Sequence, residues 1–174
     1  MERTVLLKET EQEPSARPIP LGLSEAAAGL DPGAVWRRLE QWICWRWGER
    51  PVEWIVEGPG AFTPRLRPAT IGTIEQWGDA GWEPAEAEPR PTGLYLPEGC
   101  TYRITASAGT ADPAPADVQE AFVRLSEYLA ATKADGALGA HEVSDGDYTI
   151  RRPAAWAARA MQYSGAADLL RPYR

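Results

Sequence analysis

Apolar and polar positions change period along this chain, and the changes mark off its elements. Val35, Trp36, Leu39, Trp42, Ile43 and Trp47 recur at helical steps, with Arg37, Arg38, Glu40, Gln41 and Arg46 filling much of the other face. That spacing predicts an amphipathic helix over about 33–47. Asp31-Pro32 supplies a start, a carboxylate at the cap followed by proline at the first helical position, and Gly48 and Pro51 supply the stop. The period then shortens. Val52 to Val56, Thr70 to Trp77, Gly93 to Leu96 and Tyr102 to Ala106 are short segments rich in β-branched or aromatic residues. Turn residues separate them at Glu57-Gly58-Pro59-Gly60, Gly78-Asp79-Ala80-Gly81 and Pro97-Glu98-Gly99, which predicts a small antiparallel sheet over about 52–108.

Helical spacing returns at Pro115-Ala116-Asp117, where Val118, Ala121, Phe122, Leu125 and Leu129 share one face of a helix over about 115–133. Ala134 to Ser144 is glycine-rich and reads as a mobile link, followed by a short extended piece over Asp145 to Ile150. Pro153 opens a third helix to about 163 carrying Trp156, Ala160 and Met161, with Gly165 as its stop. Glu9 to Gly22 is polar and punctuated by Pro14, Pro18 and Pro20, the composition of an extended arm. The expected architecture is therefore α+β: a small helical bundle of three main helices with an inserted antiparallel sheet. An N-terminal arm over 1–30 precedes a core over 31–163, and a tail over 164–174 closes it.

Composition sharpens this. At 174 residues one core is the default, and eight tryptophans need burial, which excludes wholesale disorder. Trp36, Trp42, Trp45 and Trp47 are too many for one narrow helical stripe, so at least one is expected at a subunit contact, with core packing the alternative for the others. No apolar run approaches the ~20 residues of a membrane span, and the first residues turn acidic before a signal-peptide core forms; a protein made in the cytoplasm is expected. The net charge of −7 disfavours gripping nucleic-acid phosphates. Charge is also uneven: Arg151 to Arg174 carries five arginines against Asp168, net +4, while Gly109 to Ile150 carries two basic against eight acidic residues, net −6. Such asymmetry suits complementary surfaces, and equally an ordinary solvated exterior.

Candidate chemistry is sparse. Cys44 and Cys100 sit in unrelated surroundings and suggest neither a metal site nor a disulfide framework. His141, the only histidine, lies in the glycine-rich link, with nothing beside it to make a catalytic pair with Cys100. Glu83, Glu86 and Glu88 alternate in a proline-flanked loop, a poor place for paired catalytic carboxylates. Asp145-Gly146-Asp147 lacks the remaining ligands of a calcium loop, and Gly58-Pro59-Gly60 lacks the lysine and helix of a phosphate loop. No enzyme activity, metal or cofactor is expected. A hydrolase using Cys100 or His141 stays only as a remote alternative.

Several segments, in order, resemble one kind of protein. They are Trp54 to Gly60, Pro68 to Glu75, Tyr102-Arg103-Ile104-Thr105 leading into Val118 to Leu125, Trp156 to Gln162, and the closing Ser164-Gly165-Ala166-Ala167-Asp168-Leu169-Leu170-Arg171-Pro172-Tyr173-Arg174. From about Asp31 onward the chain resembles head-to-tail adaptor (connector, or head-completion) proteins of long-tailed phages and of gene transfer agents of marine alphaproteobacteria. The resemblance implies a virion protein of the neck, a homo-oligomeric ring typically of twelve, between the portal protein and a stopper or tail-completion protein. DNA passes through such a ring without specific binding. It also implies a helical bundle as body and a C-terminal segment inserted against the portal, here Ser164, Gly165, Asp168, Leu169, Leu170, Arg171, Pro172, Tyr173 and Arg174. Glu120 and Glu127 are candidates for lining the channel, where carboxylates would keep DNA from sticking. A stopper or tail-completion protein of the same particle is the alternative.

Overall fold

The computed structural model describes residues 3–134, 142–145, 148–151 and 159–174. The glycine-rich link around His141, the Gly146-Asp147 step and the start of the expected third helix, with Trp156, lie outside the described residues. The chain divides into two compact units, one from residues 1–16 with 44–112 and one from residues 17–43 with 113–174.

The first unit is built of strands: β1 (Val5–Glu11), β2 (Arg50–Glu57), β3 (Gly60–Phe62), β4 (Ala69–Gly78), β5 (Gly81–Pro84), β6 (Glu88–Arg90), β7 (Gly93–Leu96) and β8 (Thr101–Ala108). They form a five-stranded antiparallel sheet in the order β1-β2-β8-β4-β5 and a three-stranded one in the order β3-β7-β6. Alternation explains the packing. Val52, Trp54 and Val56 of β2 and Tyr102 and Ile104 of β8 are buried on one face, where they meet Phe62, Leu94 and Leu96 of the smaller sheet. Trp54 and Phe62 rings stand 5.5 Å apart, a tilted aromatic pair at the centre. Close approach fixes one glycine, since a Cβ on Gly93 would strike the Phe62 carbonyl.

The second unit contains α1 (Glu25–Ala28), α2 (Pro32–Ile43), α3 (Ala116–Ala134), a β9–β10 hairpin (Glu142–Asp145 with Tyr148–Arg151), α4 (Ala160–Tyr163), α5 (Ala166–Leu169) and a 3-10 turn at Arg171–Tyr173. α3 is the longest helix, and α1, α2, α4 and α5 all pack on it. Trp36 of α2 is fully buried 5.0 Å from the Phe122 ring of α3, and its indole N–H donates to the Pro18 carbonyl at 2.6 Å.

A helical bundle with an inserted sheet is therefore not what forms. The chain is sheet-rich, with two antiparallel sheets and mostly short helices among the described residues. Two local causes account for the difference. Val5–Glu11, expected within an extended arm, is an edge strand whose alternation is broken by a bulge between Leu6 and Lys8, so its period of two is hidden in the sequence. The helix expected to reach residue 47 stops at Ile43, because Cys44 takes a left-handed backbone with φ 59°. Trp45 and Trp47 then leave the helix and bridge Arg67 and Thr110. The rest of the expected arm is held by its own chain: Arg17 pairs with the buried Glu40 at 3.4 Å, and Ser24 donates from its backbone and hydroxyl to Glu127 at 2.7 and 2.8 Å.

One charged cluster ties the first unit together. Glu11 receives the Arg46 guanidinium through both oxygens, at 2.6 and 3.0 Å, and Arg50 at 2.8 Å. Arg46 and Arg50 are 5% and 2% exposed. Arg50 also donates to the Trp47 and Gly48 carbonyls. Burial alone would raise the Glu11 pKa, but hydrogen bonds and charge from Arg46 and Arg50 outweigh it and hold the carboxyl below its ordinary value of 4.5. Stability from this group is thus present above pH 4.5 and lost as pH falls through the depressed value. Removing the carboxylate leaves two buried cations together. Glu11→Ala is expected to cost about 3–5 kcal/mol in denaturant unfolding, and Glu11→Gln should flatten the acid limb of the stability curve.

Candidate functional site

The tail expected to dock on a partner is a hook built on α3. Gly165, at φ +77°, ends α4 in the left-handed conformation that L side chains avoid, and so turns the chain into α5. Ala166 and Leu170 face inward and are fully buried. Leu169 is half-buried, while Asp168, Arg171, Pro172 and Arg174 are exposed. The Tyr173 hydroxyl donates to the Asp117 carboxylate, 2.9 and 3.1 Å from its two oxygens, at the first turn of α3. Arg174 lies over the Trp42 ring, its guanidinium carbon 4.4 Å from the centroid, a cation–π contact. Trp42 keeps its indole N–H buried and without a hydrogen-bond partner among the described residues.

Electrostatics hold the hook as well as packing does. Burial, then the hydrogen bond and negative charge of Asp117, push the Tyr173 phenol above its ordinary value of 10.0. The neutral phenol is the donor, so its contribution is complete below pH 10.0 and vanishes as pH climbs through the raised value. Arg171 and Asp168 pair at 3.1 Å, but at 80% and 78% side-chain exposure water screens the attraction and it contributes little to the fold.

The other residues singled out in the sequence do not gather at one place. Trp36 and Trp47 are buried, with no surface to offer a neighbouring subunit. Trp45 is partly exposed, 6.4 Å from Trp47, and Trp42 serves the hook. Glu120 is exposed and pairs with Arg124 at 2.7 Å one helical turn on. Glu127 is instead the acceptor for Ser24, whose backbone N–H lowers its pKa first and whose hydroxyl lowers it further. Asp117 and Trp42 are the hook's receptors. The sequence flags Asp117 as a helix-start acid and Trp42 as an apolar position, and nothing local pairs either with a residue over fifty positions, or over a hundred, further on.

Among the described residues no group of His, Cys, Asp and Glu is arranged to hold a metal, and no helix is long and apolar enough to cross a membrane. The hook has an apolar anchor inside, with charge and a proline outside. No protein-family model, curated protein or solved structure matches this chain.

The inward and outward sides separate by mutation. Leu170→Ala is expected to cost about 2–5 kcal/mol, read by thermal or denaturant unfolding. Tyr173→Phe should cost about 1 kcal/mol and abolish the alkaline loosening of the hook, followed by amide exchange at residues 166–173.

Proposed function

We propose that this chain is a structural adaptor subunit of a phage-like particle. It would form a ring between the head portal and a stopper or tail, admit DNA through its lumen, and carry out no catalysis. The reading rests on the ordered resemblance from Asp31 onward. The observation that carries it furthest is the shape of Ser164–Arg174, a compact hook with one side anchored and the other bearing Asp168, Arg171 and Pro172 uncovered.

That two-sidedness changes how docking would work. Leu170 is committed to the fold, so the apolar part of a portal contact falls to Leu169, with charge-assisted hydrogen bonds from Arg171. Each hook presents a small area, and repetition round a ring would supply avidity. Neither acid proposed for the channel stands uncommitted, because Glu120 is paired with Arg124 and Glu127 is engaged by Ser24. A stopper or tail-completion protein of the same particle is the second reading, favoured by the size of the sheet unit, which could form a ring wall.

Deleting the tail would remove Leu170 and confound docking with folding. Arg171→Glu is the cleaner variant: it should leave the melting temperature unchanged and weaken capture of the portal protein at least ten-fold. Capture equal to the wild type would reject the hook as the portal contact.

A further inference from the structure

Both sheets of the first unit run from one kind of edge to another. The larger ends on β1 and β5, the smaller on β3 and β6. β1 and β3 lie together, because Arg3 bridges Ala61 and the Thr4 N–H donates to the Ala61 carbonyl at 3.3 Å. β5 leads into β6 through Ala85-Glu86-Ala87. The double-layered unit thus has a β1/β3 edge and, across it, a β5/β6 edge.

Uncommitted charge is sorted between them. At the β1/β3 edge Arg3 and Arg65 are exposed and make no ion pair among the described residues. They rim an open cavity of about 440 Å³ floored by Leu6, Trp54 and Phe62. The acids of β1 are already engaged, Glu9 by the Trp54 indole N–H at 2.7 Å and Glu11 by Arg46 and Arg50. At the opposite edge Asp79, Glu83 and Glu86 are exposed without an ion pair among the described residues, and Glu88 pairs only with the exposed Arg90. Each edge also carries apolar surface. Val5 and Leu7 are 57% and 53% exposed on β1, and Trp77, 57% exposed, packs edge-on against Trp82 of β5.

We propose that copies of this chain associate head to tail through these edges, the acidic β5/β6 edge of one against the Arg3/Arg65 edge of the next. Matching edges would set like charges together, so the contact is heterologous rather than two-fold. Pro84 and Pro89 have no N–H to donate, so side chains make the contact and the sheet does not continue across it. This deepens the adaptor reading, on which it rests, by naming the surfaces at which ring subunits meet.

The test is self-association of the full chain by sedimentation velocity over a concentration series. The wild type should form species larger than a monomer that dissociate as salt rises. E83K/E86K/E88K and R3E/R65E, all at exposed positions, should each weaken association at least ten-fold without changing the melting temperature. Mixing the two variants should restore it, since every edge then meets an opposite one. A wild type monomeric throughout, association indifferent to either variant, or a mixture that stays dissociated would overturn the proposal. Portal capture by the same variants separates the two ideas. Capture that persists while the edge variants have no effect on association sinks the edges alone; edge-dependent association without capture sinks the adaptor reading alone.

Discussion

The carboxylate of Glu11 between two buried guanidiniums is the constraint on which the first unit depends. Two arginines at 5% and 2% exposure share one carboxylate, and that side chain comes from the last residue of β1. The edge strand is thereby fastened at the end where its pairing with β2 stops. The same cluster organises the segment after α2. Arg46 and Arg50 flank Trp47 and Gly48, whose carbonyls Arg50 also binds, so the run from Cys44 to β2 is fixed in an extended path instead of a continued helix. A buried ion cluster is weak evidence for net stability against an apolar replacement. What it supplies here is geometry, specifying which strand lies beside β2 and where the helix gives way.

What was legible in the sequence follows from how local each signal is. α3 was readable because Val118, Ala121, Phe122 and Leu125 repeat at helical steps inside one unbroken segment. The central strands were readable because segments such as Val52 to Val56 are rich in β-branched and aromatic residues between turns, and the Gly78-Asp79-Ala80-Gly81 turn because its residues suit a tight reversal. β1 was not. Its bulge removes the alternation, and its fastening depends on Glu9 and Glu11 finding Trp54, Arg46 and Arg50 more than thirty residues away. The end of α2 was hidden because Trp45 and Trp47 continue the apolar spacing, and only strand-like partners at Arg67 and Thr110 pull them out of it. Both features add to the sheet at the expense of the helices, and neither has a local signal.

The tail shows the same limit at the candidate site. Leu169-Leu170 followed by Arg171 and Pro172 reads locally as one apolar-and-basic plug, yet the fold divides those residues by direction. Leu170 faces α3, and Asp117 and Trp42 receive Tyr173 and Arg174. A segment anchored in this way enters an encounter already ordered, so less conformational entropy remains to be lost on docking than for a loose peptide. Rigidity also narrows what it can bind, because the outward residues are presented in one arrangement.

The sheet edges place a different restriction on assembly. Opposite charge on opposite edges means that each copy can accept one neighbour and offer itself to one more, and nothing in that rule says where the series ends. A closed ring and an open filament use the same contact and differ only in the angle between successive copies. Side-chain contacts, unlike a continued hydrogen-bond ladder, leave that angle adjustable, because no strand register is imposed across the boundary. The prolines of the β5/β6 edge therefore do more than guard against indiscriminate strand pairing. By removing N–H donors they leave the choice between ring and filament, in the association proposed, to charge geometry.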